Sequence, residues 1–397
     1  MSIYYPFGEK YEKNMKRINI TLFVLLLISV LFSCTKASLN YTQSGNWVAR
    51  ATYGSSSGIG IGYAACFVIG GNAYVGTGMN PTSPSNRLVS VFQYTPGVIP
   101  NVPGGYDSAS ASGTWTAVTN FPGQPRSNAV GFTIGGLGYM GSGLANDGST
   151  ALSDFYSYNP GSNSWTQIDS IHDAVVNYPR YDAVAFGFAN VGYVLTGTDG
   201  FNYFSDVWKY DPSVGHWAQQ SHQPGSPRSG AITWVYNGIG YLVTGHTPNP
   251  KFANANSAFD FWSFDPNAVD TNNAWTRKHD ISNTNSGTFD DGYSNIVRAN
   301  GSGFVLLHTA GGDKGYVTLG ATNGTDVTFT WEYDFQGDVW TEKTPYEGTA
   351  REGAVGFTIN VNGTTRGFIA TGLNKGSQAA FTDCEEFFPN QVYNQFD

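Results

Sequence analysis

Residues 179–217, PRYDAVAFGFANVGYVLTGTDGFNYFSDVWKYDPSVGHW, decide the fold, because much of the chain returns to the same pattern. The pattern has four parts in fixed order. Pro179-Arg180 leads into an apolar strand, and Gly192-Tyr193 opens a second apolar run that ends on Thr196-Gly197. Asp206 introduces the aromatics Trp208 and Tyr210 and the turn Asp211-Pro212, and Trp217 stands alone a few residues on. The first part recurs at Pro125-Arg126, Pro227-Arg228 and, without its proline, Ala350-Arg351. The second returns as Gly138-Tyr139 with Ser142-Gly143 and as Gly240-Tyr241 with Thr244-Gly245. The third returns from Asp154 to Asn159-Pro160 and from Asp260 to Asp265-Pro266. The lone tryptophan recurs at Trp47, Trp115, Trp165, Trp217, Trp275 and Trp340, on average about 59 residues apart.

Each block supplies four short strands, and a four-stranded sheet cannot bury both faces alone, so the blocks must pack face to face around an axis as the blades of a β-propeller. The Trp and Tyr rings then wedge between neighbouring sheets with their polar tips outward. The Asx-Pro pairs force a tight turn between third and fourth strands, because Pro fixes φ and Asx bonds its own backbone. Blocks begin near Ile59, Arg126, Arg180, Arg228, Gly292 and Arg351, which gives six blades. The last block ends without a tryptophan, and Gly45-Asn46-Trp47-Val48 is a fourth-strand segment with no blade before it. Pairing that N-terminal strand into the last sheet closes the ring and removes exposed edges. Blade one lacks the Pro-Arg and blade five has Asp291 in its place, which leaves five or seven blades open. The expected class is all-β: a six-bladed propeller over residues 45–397.

Composition agrees with an exported β protein: 15% aromatic, 12% charged and 50 glycines in 397 residues. The net charge is −9, and near −11 without residues 1–34, so nucleic acid is not an expected partner: a polyanion needs a basic face. Met15-Lys16-Arg17 precedes an apolar run from Ile18 to Phe32, the layout of a signal peptide, with Met15 a candidate start. The run is shorter than the roughly 20 residues of a spanning helix. Leu31-Phe32-Ser33-Cys34 resembles a bacterial lipobox, with Cys34 the acylated residue and residues 35–44 a tether. The expected address is the cell envelope, at the outer membrane, with contact to the bilayer only through the lipid. Cys66 and Cys384 are expected to be free thiols.

On these repeats the chain resembles the kelch superfamily, in particular the galactose-oxidase-like branch that includes N-acetylneuraminate epimerase, a six-bladed sugar mutarotase. Members include oxidases, mutarotases and protein-binding modules, so the fold does not choose a function. The resemblance places Arg126, Arg180, Arg228 and Arg351 around one mouth of the central channel. Two readings of them stay open. Converging guanidiniums would make an anion receptor able to grip a carboxylate; alternatively each arginine pairs locally with Asp154, Asp206, Asp260 or Asp383. Asp182, Glu352 and Asp291 lie near the same level as hydrogen-bond acceptors for a sugar, as the acid and base of a ring-opening step, or as arginine partners. The copper chemistry of the branch needs converging histidines, and His172, His216, His222, His246, His279 and His308 show no ligand spacing. No cofactor or metal is therefore expected. The leading expectation is a membrane-anchored module that binds a carbohydrate or a protein; the alternative is a mutarotase acting on an acidic sugar such as sialic acid.

Overall fold

The computed structural model describes residues 44–54, 58–82, 86–101, 105–248, 253–254, 257–269, 273–281 and 295–394. The lipobox Cys34, most of the tether and Asp291 lie outside the described residues. Six four-stranded antiparallel sheets follow one another along the chain. Blade 1 comprises Ala65–Ile69, Asn72–Gly76, Val91–Thr95 and Thr114–Ala117, and blade 2 comprises Val130–Ile134, Leu137–Gly141, Phe155–Asn159 and Ser164–Ile168. Blades 3, 4 and 5 begin at Val184–Gly187, Ile232–Tyr236 and Ser302–Thr309. Blade 6 comprises Val355–Val361, Thr364–Ala370 and Cys384–Phe388, and its fourth strand is the N-terminal Asn46–Ala49.

That closing strand pairs Trp47 with Phe387 and Ala49 with Glu385. A buried latch reinforces it: Glu386 accepts from Arg50 Nε at 2.7 Å and from Arg366 Nε at 2.6 Å, with all three side chains at most 5% exposed. Two fixed cations sharing one carboxylate thus join the first strand of the domain to its last blade.

The core is six wedges, one between each pair of neighbouring blades, rather than one centre. Between blades 2 and 3, for example, Phe132, Tyr139 and Phe155 meet Trp208, Tyr210 and Trp217; between blades 6 and 1, Phe357 and Phe368 meet Tyr94 and Trp115. Full burial of one such ring contributes about 1.5–3 kcal/mol, which is why 15% aromatic content suffices for a molecule with no common centre. The recurring tryptophans also tie the outer edges together. Trp115, Trp165 and Trp217 donate their indole N–H to the carbonyls of Ala51, Thr119 and Asp169, just past the outer strand of the preceding blade, at 2.8, 3.0 and 2.9 Å. The Asx-Pro turns close as their chemistry requires: Asn159, Asp211 and Asp265 each accept the backbone N–H two residues on at 2.9 Å.

The Thr/Ser-Gly pairs have an equally specific task. Thr196 and Gly197 both take positive φ, +61° and +93°, and Ser142-Gly143 and Thr244-Gly245 do the same. The turn aims the glycine N–H at the next blade, so that Gly78, Gly143, Gly197, Gly245, Gly320 and Gly372 bond the carbonyls of Arg126, Arg180, Arg228, Arg298, Arg351 and Ile61 at 2.7–2.8 Å. A Cβ at Gly143 would stand 2.7 Å from the Ser127 carbonyl, so glycine is required there. Cys66 and Cys384 are free thiols.

Candidate functional site

The innermost strands of the blades run side by side along the axis and enclose a channel. At one end, the residue two positions after Arg126, Arg180, Arg228, Arg298 and Arg351, or after Ile61 in blade 1, namely Asn128, Asp182, Gly230, Asn300, Gly353 or Tyr63, is held at φ between +51° and +62°. Each donates its N–H to the carbonyl of its counterpart in the neighbouring blade, at 2.7–3.1 Å, so six hydrogen bonds close a circle around the axis. Left-handed backbone explains the residue types, since Gly, Asn and Asp tolerate it best; Tyr63 is the exception. The circle surrounds a cavity of about 130 Å³ lined by Tyr63, Asn128, Asp182 and Asn300 among glycines and alanines. The channel continues between small residues and opens at the other end into a larger cavity of about 490 Å³, lined by Phe67, Trp234, Tyr236 and threonines. The larger cavity holds no carboxylate, amine or imidazole; the polar mouth is where the chemistry lies.

The arginines that head the blades are not that chemistry. Arg126, Arg180, Arg228 and Arg351 are 0–1% exposed. Arg180 forms a bidentate pair with Asp206 at 2.7 Å for both oxygens, donates Nη1 to the Thr196 carbonyl at 3.0 Å, and lies over the Phe204 ring. Arg126 does the same with Asp154 and Ser142, Arg228 with Asp260 and Thr244, and Arg351 with Asp383 and Thr371. Each guanidinium therefore clasps the start of the first strand, the end of the second and the start of the third within one blade. A ligand carboxylate could engage it only by breaking a buried charge pair, so of the two readings the structure carries local pairing, and the expected anion receptor gives way to it. Blade 5 supplies the counterpart the sequence reading missed. The Arg298 carbonyl accepts the interblade bond from Gly245, and Arg298 Nη1 donates to the carbonyls of Leu319 and Phe329 at 2.9 and 2.8 Å. Burial lowers its pKa to about 9. The signal was present as Arg298-x-x-Gly301-Ser302, in register with Arg126-x-x-Ala129-Val130.

Asp182 lines the mouth, and Glu352 lies buried directly behind it. Asp182 is half-buried there, and its Oδ1 accepts from Asn128 Nδ2 at 2.5 Å. Burial pushes its pKa up to about 6, with the Asn128 bond opposing and the charge of Glu352 adding to the rise. Glu352 is 1% exposed; its Oε2 accepts from Asn300 Nδ2 at 3.1 Å, and Lys375 Nζ lies 3.5 Å from Oε1. Burial first, and then the Glu352 carboxylate, hold the Tyr63 phenol protonated, well above its ordinary value. Asp326, raised chiefly by burial, accepts the Lys375 backbone N–H at 2.9 Å. His246, lowered by burial and by Lys375, packs against Tyr203 at 5.4 Å between ring centroids. His308 lies at the opposite end of its strand from the mouth, beside Asp313, so these two histidines do not converge. Among the described residues no group of three or more His, Cys, Asp or Glu is placed to hold a metal ion.

An all-β ring of six four-stranded blades is a six-bladed β-propeller, and known proteins share that fold. The solved structure of YjhT superimposes with a TM-score of 0.58 at 15% identity, over 84% of this chain and 96% of that one. In sequence the chain is weakly similar to N-acetylneuraminate epimerase: 24% identical over 172 residues to the Escherichia coli K12 protein and 34% over 67 residues to that of Yersinia enterocolitica. These matches cover 33% and 16% of this chain, and 47% and 17% of the relatives, so the chain spans less than half the length of either. No family model matches.

Proposed function

We propose that the protein is a carbohydrate-binding propeller that receives a hydroxylated ring at the polar mouth, and that Cys34 tethers it by a lipid to the cell envelope. One observation carries the binding site: four different blades deliver Tyr63, Asn128, Asp182 and Asn300 to one circle, with Glu352 bonded to Asn300 beside it. Hydroxyl groups can donate to the carboxylates and accept from the amides and the phenol, and fixed polar groups in a concave setting are what orient a small polar ligand. A glycan array probed with the domain from Ser44 onward tests this. Binding is expected, and the double variant Asp182→Asn/Glu352→Gln should weaken it at least about tenfold, the equivalent of roughly 1.4 kcal/mol. Unchanged affinity in a folded double variant removes the mouth from consideration. The tether is checked by incorporation of a labelled fatty acid, expected in the full chain and absent after Cys34→Ser.

A second reading, mutarotation of sialic acid, is favoured by the raised pKa of Asp182, which suits a group that both gives and takes a proton near neutral pH. The distant similarity to N-acetylneuraminate epimerase points the same way. NMR of freshly dissolved sialic acid decides it: faster anomer exchange that slows in Asp182→Asn is expected on this reading, and an unaltered rate with the wild-type protein ends it.

A further inference from the structure

We infer that the ligand of the polar mouth is an amino sugar with a free primary amine, whose ammonium takes the place that Lys375 holds beside Glu352. The inference rests on the sugar reading above and deepens it by fixing the charge of the ligand. Three carboxylates gather here: Glu352 bears on Asp182 and on Asp326, and all three bear on Tyr63. Among the described residues the cation that bears on them is Lys375 alone. The neighbouring arginines are committed elsewhere: Arg126, Arg180, Arg228 and Arg351 each hold an aspartate of their own blade, and Arg298 is buried and bonded to the carbonyls of Leu319 and Phe329.

Two acceptors in this group lack a donor. Glu352 Oε1 is buried with no donor in hydrogen-bond geometry, Lys375 Nζ standing 3.5 Å away and the Tyr63 phenol being the other donor that bears on this carboxylate, and Asp326 Oδ1 is buried and accepts none either. A carboxylate buried to 1% exposure with one oxygen unsatisfied is costly unless something donates to it. Lys375 is a loose substitute: its side chain is 63% exposed and its ammonium sits beyond hydrogen-bond distance. A compact ammonium on a ligand ring could approach more closely and donate to the free oxygens, while the ring hydroxyls engage Asp182, Asn128 and Asn300. A carboxylated sugar would instead add a negative charge to three already present.

Calorimetric titrations below about pH 7, where the amine is protonated, test this with glucosamine, N-acetylglucosamine, glucose, N-acetylneuraminate and pentylamine. Glucosamine is expected to bind at least about tenfold tighter than N-acetylglucosamine or glucose. The preference should collapse in Glu352→Gln, and Lys375→Met should bind glucosamine more tightly than the wild type. Lys375→Met changes an exposed side chain and keeps the fold available should Glu352→Gln not fold. Equal binding of the amine and N-acetyl forms, or tighter binding of N-acetylneuraminate, overturns the inference and leaves the sugar reading standing. Pentylamine binding as tightly as glucosamine overturns the sugar reading instead, and no binding of any probe overturns both.

Discussion

Arg180 and Asp206 show at the scale of single residues how one motif can leave two purposes open until burial and geometry choose between them. A guanidinium at the head of a channel-lining strand has the chemistry of an anion receptor, and only burial at 0% exposure and two 2.7 Å contacts show that its charge is already matched. Removing one member leaves the other buried and unpaired, so Asp206→Asn should cost about 3–5 kcal/mol in urea unfolding. Asp154→Asn should cost less, because the Asp154 side chain is 24% exposed against 6% for Asp206 and water can relieve Arg126. Asp182 carries the opposite imbalance. Its pKa rises in the folded protein to about 6, so the folded state holds a proton that the unfolded chain, near the ordinary carboxylate value, has released. The contribution is present at low pH and is lost as pH climbs from about 4 through 6. Asp182→Asn, which keeps an acceptor for Asn128, should therefore stabilise the protein by on the order of 1 kcal/mol at pH 8 and by little at pH 4, measured by thermal unfolding at both. A wild-type stability that the substitution lowers equally at both pH values would contradict this.

Between residues and the whole lie the turns and strands, and here periodicity made much of the fold legible. Pro-Arg, Thr-Gly, Asp-aromatic and lone Trp perform the same local tasks in several blades, although the Trp275 indole N–H makes no such bond, so repetition exposes them. The site was legible in part: Asp182 and Glu352 were found because they adjoin the arginine motif. Tyr63, Asn128 and Asn300 share a register with Asp182 but not its residue type, since the shared requirement is a left-handed backbone and not a charge. Asp326 and Lys375 come from connections after the second strands of blades 5 and 6, and no spacing announces that two such loops meet. Arg298 was hidden because it lacks both the proline and the Ala-Val pair that still marks Arg351, with Gly301-Ser302 in that place. The turn argument has its own check. Gly143→Ala places a Cβ at φ +105° against the Ser127 carbonyl and should cost about 1–3 kcal/mol by chemical denaturation, whereas Gly136→Ala, with open space around it, should cost less.

For the whole molecule, closure is the property on which the mouth depends, since a circle of six backbone hydrogen bonds exists only in a complete ring. The closure itself depends on Asn46–Ala49 and on the Arg50–Glu386–Arg366 latch. Beginning the chain after Arg50 exposes the edge of blade 6 and strips Glu386 of one cation. Such a chain should lose cooperative unfolding and associate, seen by light scattering and by a broadened thermal transition. A monomeric truncated chain with a wild-type transition would show that the first strand is dispensable. The most direct measurement for the account as a whole is a crystal structure of the domain soaked with the sugar it binds most tightly. The ring is expected over the circle of Tyr63, Asn128, Asp182 and Asn300, with Glu352 within hydrogen-bond distance; a sugar seated instead in the wide cavity beside Trp234 and Tyr236 would contradict it.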